Sequence, residues 1–516
     1  MLLSAPAVTS LSGMTDCRNS LDQWFSKAAQ LGAHAPTAAF SGGLNPGVDM
    51  SGKALVPLAA ALYECAMTIG LRTILRGLIT AITVALAVLA VPGHGASAAD
   101  LDGSCCADPG SIRKALAGRG ITFGASYTGD VNGNVSGGIK QGTHYAGLLE
   151  LYNDIDLQKA MGLTGLSFHM SVYQIHGTSI SGENIGGLAS VTNIEAFPST
   201  RLFELWLEQT FLNDKLSVRM GQIAVDDEFF ASEAGGNFFN STFGWTTISS
   251  DNLPVGGPIY PIPTPGVRVA FEPSDNFKLM AGLWNGNPVG PCPEDKDPGQ
   301  CNTNGLDFRL QDPPLLVVEA AFAYNKDAGL PGTIKAGGWR HFGDFDDQRR
   351  DTNGGPAGIT GGDPLKHEGN HGLYAVVDQM LFKISPDGAR NVSMSARIAG
   401  SPSDRNQIDF YTDVAVVAKG LFASRPSDVM GVALAYSGIS NDAAGYDRDS
   451  GLSVVRDHET VLEVSYTAEV LPGLTLQPDF QYYWSPGGGV PLNASDPNSR
   501  AIEDAAIFGM RTVVNY

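Results

Sequence analysis

From Ile121 onward the chain is written in alternating apolar and polar positions, in runs of about ten residues broken by turn residues, the period-two pattern of strands with two unlike faces. The first apolar faces are Ile121/Phe123/Ala125/Tyr127, Leu149/Leu151/Ile155/Leu157 and Leu166/Phe168/Met170/Val172. Phe203/Leu205/Leu207/Phe211 and Leu216/Val218/Met220 follow as a hairpin through Asn213-Asp214, and Val267/Val269/Phe271 joins Phe277/Leu279/Ala281/Leu283 through Pro273 to Asp275. The middle adds Leu316/Val318/Ala320/Phe322/Tyr324, weaker segments at Ile334 to His341 and Leu373 to Phe382, and Val392/Met394/Ala396/Ile398. The last third adds runs headed by Phe410, Val432, Leu462 and Leu474 and a terminal one in which Phe508, Met510, Thr512, Val514 and Tyr516 share a face. Gly509, Arg511 and Asn515 oppose them, with Val513 as the apolar exception. Roughly sixteen such segments predict an all-β, transmembrane antiparallel β-barrel in which the last strand pairs with the first and ends at an aromatic girdle.

The connections support the same reading. Short turns such as Asn213-Asp214 and Leu471-Pro472-Gly473 alternate with long Gly/Pro/Asp-rich excursions at 225 to 264, 286 to 314 and 343 to 371. A barrel inserted from the periplasm has short turns on that side and long loops outside. The excursion near 225 to 264 carries Phe229, Phe230, Phe238, Phe239 and Phe243, too aromatic to hang in water, so it is expected to fold into the mouth or lumen as a constriction. Ser111 to Gly120 reads as a short periplasmic helix before the barrel.

Ahead of the alternating part, Arg72 and Arg76, the apolar run Ile79 to Val91 and Ala96-Ser97-Ala98 form a secretory signal peptide over 67–98. Residues 1–66 therefore read as a misassigned gene start or an extended leader, 99–120 as a periplasmic segment and 121–516 as the barrel domain. Export suits the cysteines. Cys292 and Cys301 bracket PCPEDKDPGQC, a loop expected to be closed by a disulfide, and Cys105-Cys106 follows too poor a lipobox to suggest an anchor. The chain carries a formal net charge of −20; residues 1–98 hold five Lys/Arg and four Asp/Glu, so the remainder stands at −20 − 1 = −21. That acidity argues against nucleic acid or anionic partners. Mean hydropathy of −0.02 is what averaging a lipid face with a polar lumen produces.

The polar faces place Glu150, Asp154, Asp156, His169, Glu204, Trp206, Glu208, Arg219, Arg268, Trp284, Glu319, Trp339, Arg397, Tyr411, Asp413, Glu463, Asp479 and Arg511 in the lumen. Carboxylates and guanidinium groups can bracket sugar hydroxyls while aromatic rings stack on pyranose C–H faces. The plainer alternative is that they solvate and stiffen a water-filled lumen.

Several stretches, including RLFELWLEQTFLNDKLSVRMGQIAVDDEFF (201–230), FFNSTFGW (238–245), GGPIYPIPTPGVRV (256–269), GLYAVVDQMLF (372–382), SRPSDVMGVALAYSGIS (424–440) and LPGLTLQPDFQYYWSPGG (471–488), resemble the carbohydrate-selective outer-membrane porins, the OprB family. The resemblance implies a sixteen-stranded barrel passing monosaccharides such as glucose by facilitated diffusion, with no catalytic residue, cofactor or metal. It implies Glu204, Trp206, Glu208, Asp226, Asp227, Arg268, Trp339 and Arg340 as channel-lining candidates. Its expected partners are neutral sugars, outer-membrane lipid and the barrel-assembly machinery through the C-terminal strand, with a homo-oligomer possible and nucleic acid excluded. Cys105-Cys106, the 66-residue leader and Tyr516, where Phe is more usual, depart from the family.

His367-Glu368-Gly369-Asn370-His371 matches the H-E-x-x-H zinc signature, but that chemistry needs a helix, and Gly369-Asn370 weakens one. Asp344, Asp346 and Asp347 lack calcium-loop spacing. A general, weakly cation-preferring pore stays open as the alternative, with an outer-membrane hydrolase or a plugged structural barrel as the readings from other classes.

Overall fold

The computed structural model describes residues 112–516 apart from 294, 327, 328, 494 and 497. The leader, the signal peptide and the Cys105-Cys106 pair lie outside the described residues. Sixteen strands run up and down, each pairing with its neighbours in sequence, and β1 (Ile121–Gly138) pairs with β16 (Glu503–Asn515) to close the barrel. Between them lie β2 (Gly142–Asp156), β3 (Leu166–Gly177), β4 (Ser199–Phe211), β5 (Leu216–Ile223), β6 (Thr264–Ser274), β7 (Phe277–Asn285) and β8 (Pro314–Tyr324). The second half contains β9 (Gly332–Asp351), β10 (Pro364–Lys383), β11 (Asn391–Gly400), β12 (Ile408–Lys419), β13 (Val429–Ile439), β14 (His458–Leu471) and β15 (Leu474–Trp484). Closure satisfies every strand edge, which is the condition for crossing lipid with strands. Among the described residues no helix is long and apolar enough to do so.

At the seam Tyr127 faces Val514 and Asp130 faces Arg511. Arg511 donates from Nε and Nη2 to the two Asp130 carboxylate oxygens at 2.8 and 2.7 Å, with Asp130 fully buried on the lumen side. A helix at Ile112–Ala117, within the stretch expected to be helical, precedes β1, and Arg113 lies over the Tyr516 ring at 5.5 Å. Apolar outward positions such as Leu151, Leu207, Met220, Leu283, Val318 and Phe322 are exposed, as a lipid-facing surface must be.

Connections at the end where β16 finishes include the short turns 212–215, 275–276 and 472–473, and the opposite end carries 178–198, 224–263, 286–313, 440–457 and 485–502. Two of the three expected excursions are therefore loops. The third is not: most of 343–371 belongs to β9 and β10, each 20 residues long, and only 352–363 connects them. About ten residues cross a bilayer, so this hairpin continues well past the lipid, where nothing demands an apolar outer face and alternation fades. Phe203 also departs from its expected outward place. β4 carries an extra residue opposite Met170/Val172, and the bulge turns Phe203 inward, where it is buried and stacks on Tyr173 with centroids 4.2 Å apart.

The apolar core sits inside the barrel, where the loop 224–263 packs against the wall. Phe229, Phe230, Phe238 and Phe243 join Trp284, Val317, Trp339, Tyr374, Val376 and Tyr411 in one buried cluster. Phe230 stacks on Tyr374 at 4.1 Å and Phe229 meets Trp284 edge-on at 5.5 Å. Burying one such ring stabilises by about 1.5–3 kcal/mol, so the five phenylalanines, all buried, hold the loop inside the lumen.

Candidate functional site

The wall grips this loop by its backbone. Phe230 N–H donates to Glu319 Oε2 of β8 (2.9 Å), Glu233 N–H to Asp378 Oδ1 of β10 (2.9 Å) and Ala234 N–H to Ser395 Oγ of β11 (3.1 Å). Phe239 and Asn240 N–H donate to the two oxygens of Glu463 on β14 at 2.6 and 2.9 Å. The loop 178–198 joins it: Leu188 and Ala189 N–H donate to Glu459 of β14 at 2.7 and 2.9 Å, and Ser241 N–H donates to Ser190 O at 3.0 Å. An inward carboxylate that accepts several N–H bonds satisfies backbone that would otherwise be buried unpaired. Glu319 and Glu463, legible in the sequence as lumen groups, thus serve the loop.

A second inward polar set gathers on β2–β6. Asp154, His169 and Trp206 stand in register across β2, β3 and β4. His169 Nδ1 lies 2.6 Å from Asp154 Oδ1, and its ring stacks on Trp206 with centroids 4.9 Å apart and planes 17° apart. From the strand on the other side, the Arg219 guanidinium carbon rests 3.9 Å from the indole centroid. Trp206 Nε1 donates to Glu204 Oε2 (3.3 Å), while Glu204 Oε1 accepts Ala224 N–H (2.9 Å) at the root of the infolded loop.

The adjoining row is Glu208, Arg219 and Arg268, paired in register across β4, β5 and β6. Two guanidinium groups directly opposite one another repel, and two carboxylates offset this. Arg219 contacts Glu208 at 2.8 Å and Glu228 of the loop at 3.1 Å; Arg268 contacts Glu208 at 3.2 Å and Glu228 at 2.6 Å. The four side chains keep between 4 and 20 % of their surface. The result is a charge-balanced quartet of donors and acceptors joining wall to loop.

Of the channel-lining candidates, Glu204, Trp206, Glu208 and Arg268 come together here. Asp226 and Asp227 lie just before Glu228 in the same loop, Asp227 exposed and Asp226 with its Oδ1 buried and unpartnered. Burial, then the charge of Asp227, pushes the Asp226 carboxyl well above the ordinary range. Trp339 faces inward but lies beneath the loop in the apolar cluster. Arg340 is a correction: it is exposed on the opposite, outer face of β9 and lies over Phe342 at 5.5 Å. Where the register is regular, as it is between β8 and β9 here, a strand sends adjacent side chains to opposite faces. Glu228 escaped the sequence reading because it stands in an aperiodic stretch. The available signal was its place in a third consecutive acidic position between two strands that each bring an inward arginine. Cys292 and Cys301 are disulfide-bonded, as expected.

The H-E-x-x-H stretch lies in β10, interrupted at Gly369 (φ 75°). An extended strand separates His367 from His371 by about 13 Å, and His367 Nε2 is occupied by Asp347 at 2.8 Å. Among the described residues no group of three or more His, Cys, Asp or Glu is arranged to hold a metal ion.

A closed sixteen-strand barrel with a lipid face, an infolded loop and a polar inner wall defines a porin of the bacterial outer membrane. The chain belongs to the carbohydrate-selective porin, OprB family, whose profile matches residues 140–516, and it is a sugar-selective outer-membrane channel. Porin B of Pseudomonas aeruginosa is 26% identical over 410 residues, 74% of this chain and 86% of that one. The putative porin QuiX of Acinetobacter baylyi is 22% identical over 79% of this chain and 92% of its own length. The high-pH structure of Pseudomonas putida OprB shares the fold with a TM-score of 0.70 at 23% identity, covering 79% of this chain and 97% of that one. The family and its fold relatives are channels rather than enzymes.

Proposed function

We propose that the channel passes neutral monosaccharides such as glucose down their gradient into the periplasm, and that it catalyses no reaction. The observation that carries this reading is the quartet Glu208–Arg219–Arg268–Glu228: two positive and two negative groups, Arg268 buried and the other three partly exposed, offer charge-assisted hydrogen bonds without a net charge to attract an ion. A polyhydroxylated neutral solute can exchange its water for those contacts and leave again, as a selective pore requires. Glu204, Asp226 and Asp227 extend the acceptor surface towards the loop. The Trp206 ring has a side chain laid on it from each flanking strand. Its contribution is therefore to hold Arg219 and His169 in place rather than to stack on a sugar.

Planar-bilayer conductance of residues 99–516, titrated with neutral sugars, tests this. Saturable block by glucose is expected, weakened about tenfold in Trp206→Ala, the equivalent of roughly 1.4 kcal/mol of lost preorganisation. Open channels that no sugar blocks would leave the general, weakly cation-preferring pore. Loss of some activity on replacing His367 and His371 would revive the hydrolase.

A further inference from the structure

One wall side chain makes four hydrogen bonds to the infolded loop and is itself almost wholly buried. Arg397 of β11 is buried to 1 % of its side-chain surface and paired with Asp413 of β12, itself 3 % exposed. Nε and Nη2 donate to Asp413 Oδ2 at 2.9 and 2.6 Å. The rest of the fork serves four loop carbonyls: Nη1 donates to Phe230 O (3.2 Å) and Gly244 O (2.6 Å), Nη2 to Thr242 O (2.7 Å) and Phe243 O (2.9 Å). Tyr411, fully buried, donates to Asp413 Oδ2 at 2.6 Å and accepts from the Thr242 hydroxyl at 3.0 Å. Residues 230 and 242–244 are far apart in the loop, so one guanidinium fastens both arms of its turn to the same point of the wall.

We infer that Arg397, oriented by Asp413 and Tyr411, is the positioning residue that sets the width of the passage and hence the channel's discrimination by solute size. The inference rests on the reading of the pore as monosaccharide-selective. The neighbouring clamps each hold one N–H group or two successive ones, so each fixes a single short stretch of backbone. Arg397 differs because all its donors are spent, and because a buried guanidinium that loses its carbonyls is left with a desolvated charge. Lysine cannot stand in: it has three donors on a point charge in place of five in a planar fork. With lysine there, the two arms lose their common anchor on β11 and the loop samples a broader range of positions, so the passage is no longer held at one width. Arg397 touches neither the stack nor the quartet, and Glu228 still ties the start of the loop to β5 and β6.

The test is proteoliposome swelling of wild type and Arg397→Lys with a monosaccharide and a disaccharide, with folding checked by resistance of the barrel to unfolding in detergent without heat. Wild type should pass the monosaccharide severalfold faster. In the folded variant the disaccharide-to-monosaccharide ratio should rise at least threefold, with noisier single-channel current, while monosaccharide entry is kept. Tyr411→Phe, a milder change that leaves Arg397 and Asp413 charged, should move the ratio in the same direction by less, and it serves where Arg397→Lys fails to fold. Ratios equal to wild type in a folded variant would overturn the inference. A wild type that does not discriminate the two sugars would instead overturn the monosaccharide reading beneath it.

Discussion

Asp226 shows how a single side chain in the loop couples pore behaviour to pH. Its neighbours in charge are Asp227 and Glu204, both acidic, and one of its oxygens is buried without a partner. In an undocked loop it would ionise near the ordinary value of about 3.9, whereas in the docked loop it keeps its proton to higher pH. The docked state therefore binds more protons, and its stability falls as pH rises from about 4 through the raised value. Wild-type single-channel noise should grow over that interval, and Asp226→Asn should flatten the dependence. An unchanged pH profile in the variant would assign the sensitivity elsewhere. At this scale the strand residues were legible: Glu204, Trp206, Glu208 and Arg268 follow from alternation alone. Trp339 was placed on the right face but not beneath the loop. What alternation cannot carry is the identity of the loop partner, Glu228, because a loop has no period to read.

At the scale of elements, sixteen strands and the infolding of 224–263 could be read from the chain because lipid outside and water inside impose opposite chemistry on alternate residues. Where that contrast stops, so did the reading. Gly343, Asp344, Asp346, Asp347 and Gln348 are polar or small on both faces, yet all lie in β9. The bulge in β4 was also invisible, since an extra residue costs a sequence nothing while it reverses a face. The loop 286–313 offers a test of an element held in two ways. Cys292–Cys301 closes a short stretch of it, and its backbone receives Leu202 N–H at Asn304 O (3.0 Å), Arg201 Nη2 at Asn302 O (2.8 Å) and Gln222 Nε2 at Gly305 O (3.2 Å). A cross-link of this span is worth about 2–3 kcal/mol to the ordered loop. Cys292→Ser with Cys301→Ser should accelerate proteolysis within 286–313 while the barrel's thermal transition stays within a few degrees. A collapse of that transition would show that the loop supports the wall.

For the whole molecule the acidic excess, −20 over the chain, acts at a distance even though the quartet is neutral. Such a field draws cations to the mouths at low ionic strength and is screened once the Debye length falls to about 3 Å near 1 M salt. Reversal potentials under a fixed salt gradient should therefore show cation preference around 0.1 M that fades towards 1 M, with sugar block unchanged between them. A preference that survives at 1 M would place the selecting charge inside the narrow passage.

The seam between β1 and β16, locked by Asp130 and Arg511, has a consequence for how the molecule comes into being. Because the strand made first is the neighbour of the strand made last, no partial chain can be a smaller barrel. Every shorter product presents two unpaired edges to lipid, so the energy of closure arrives all at once, after synthesis and translocation are over. Until then the protein must travel as a polymer that something else keeps from pairing with itself.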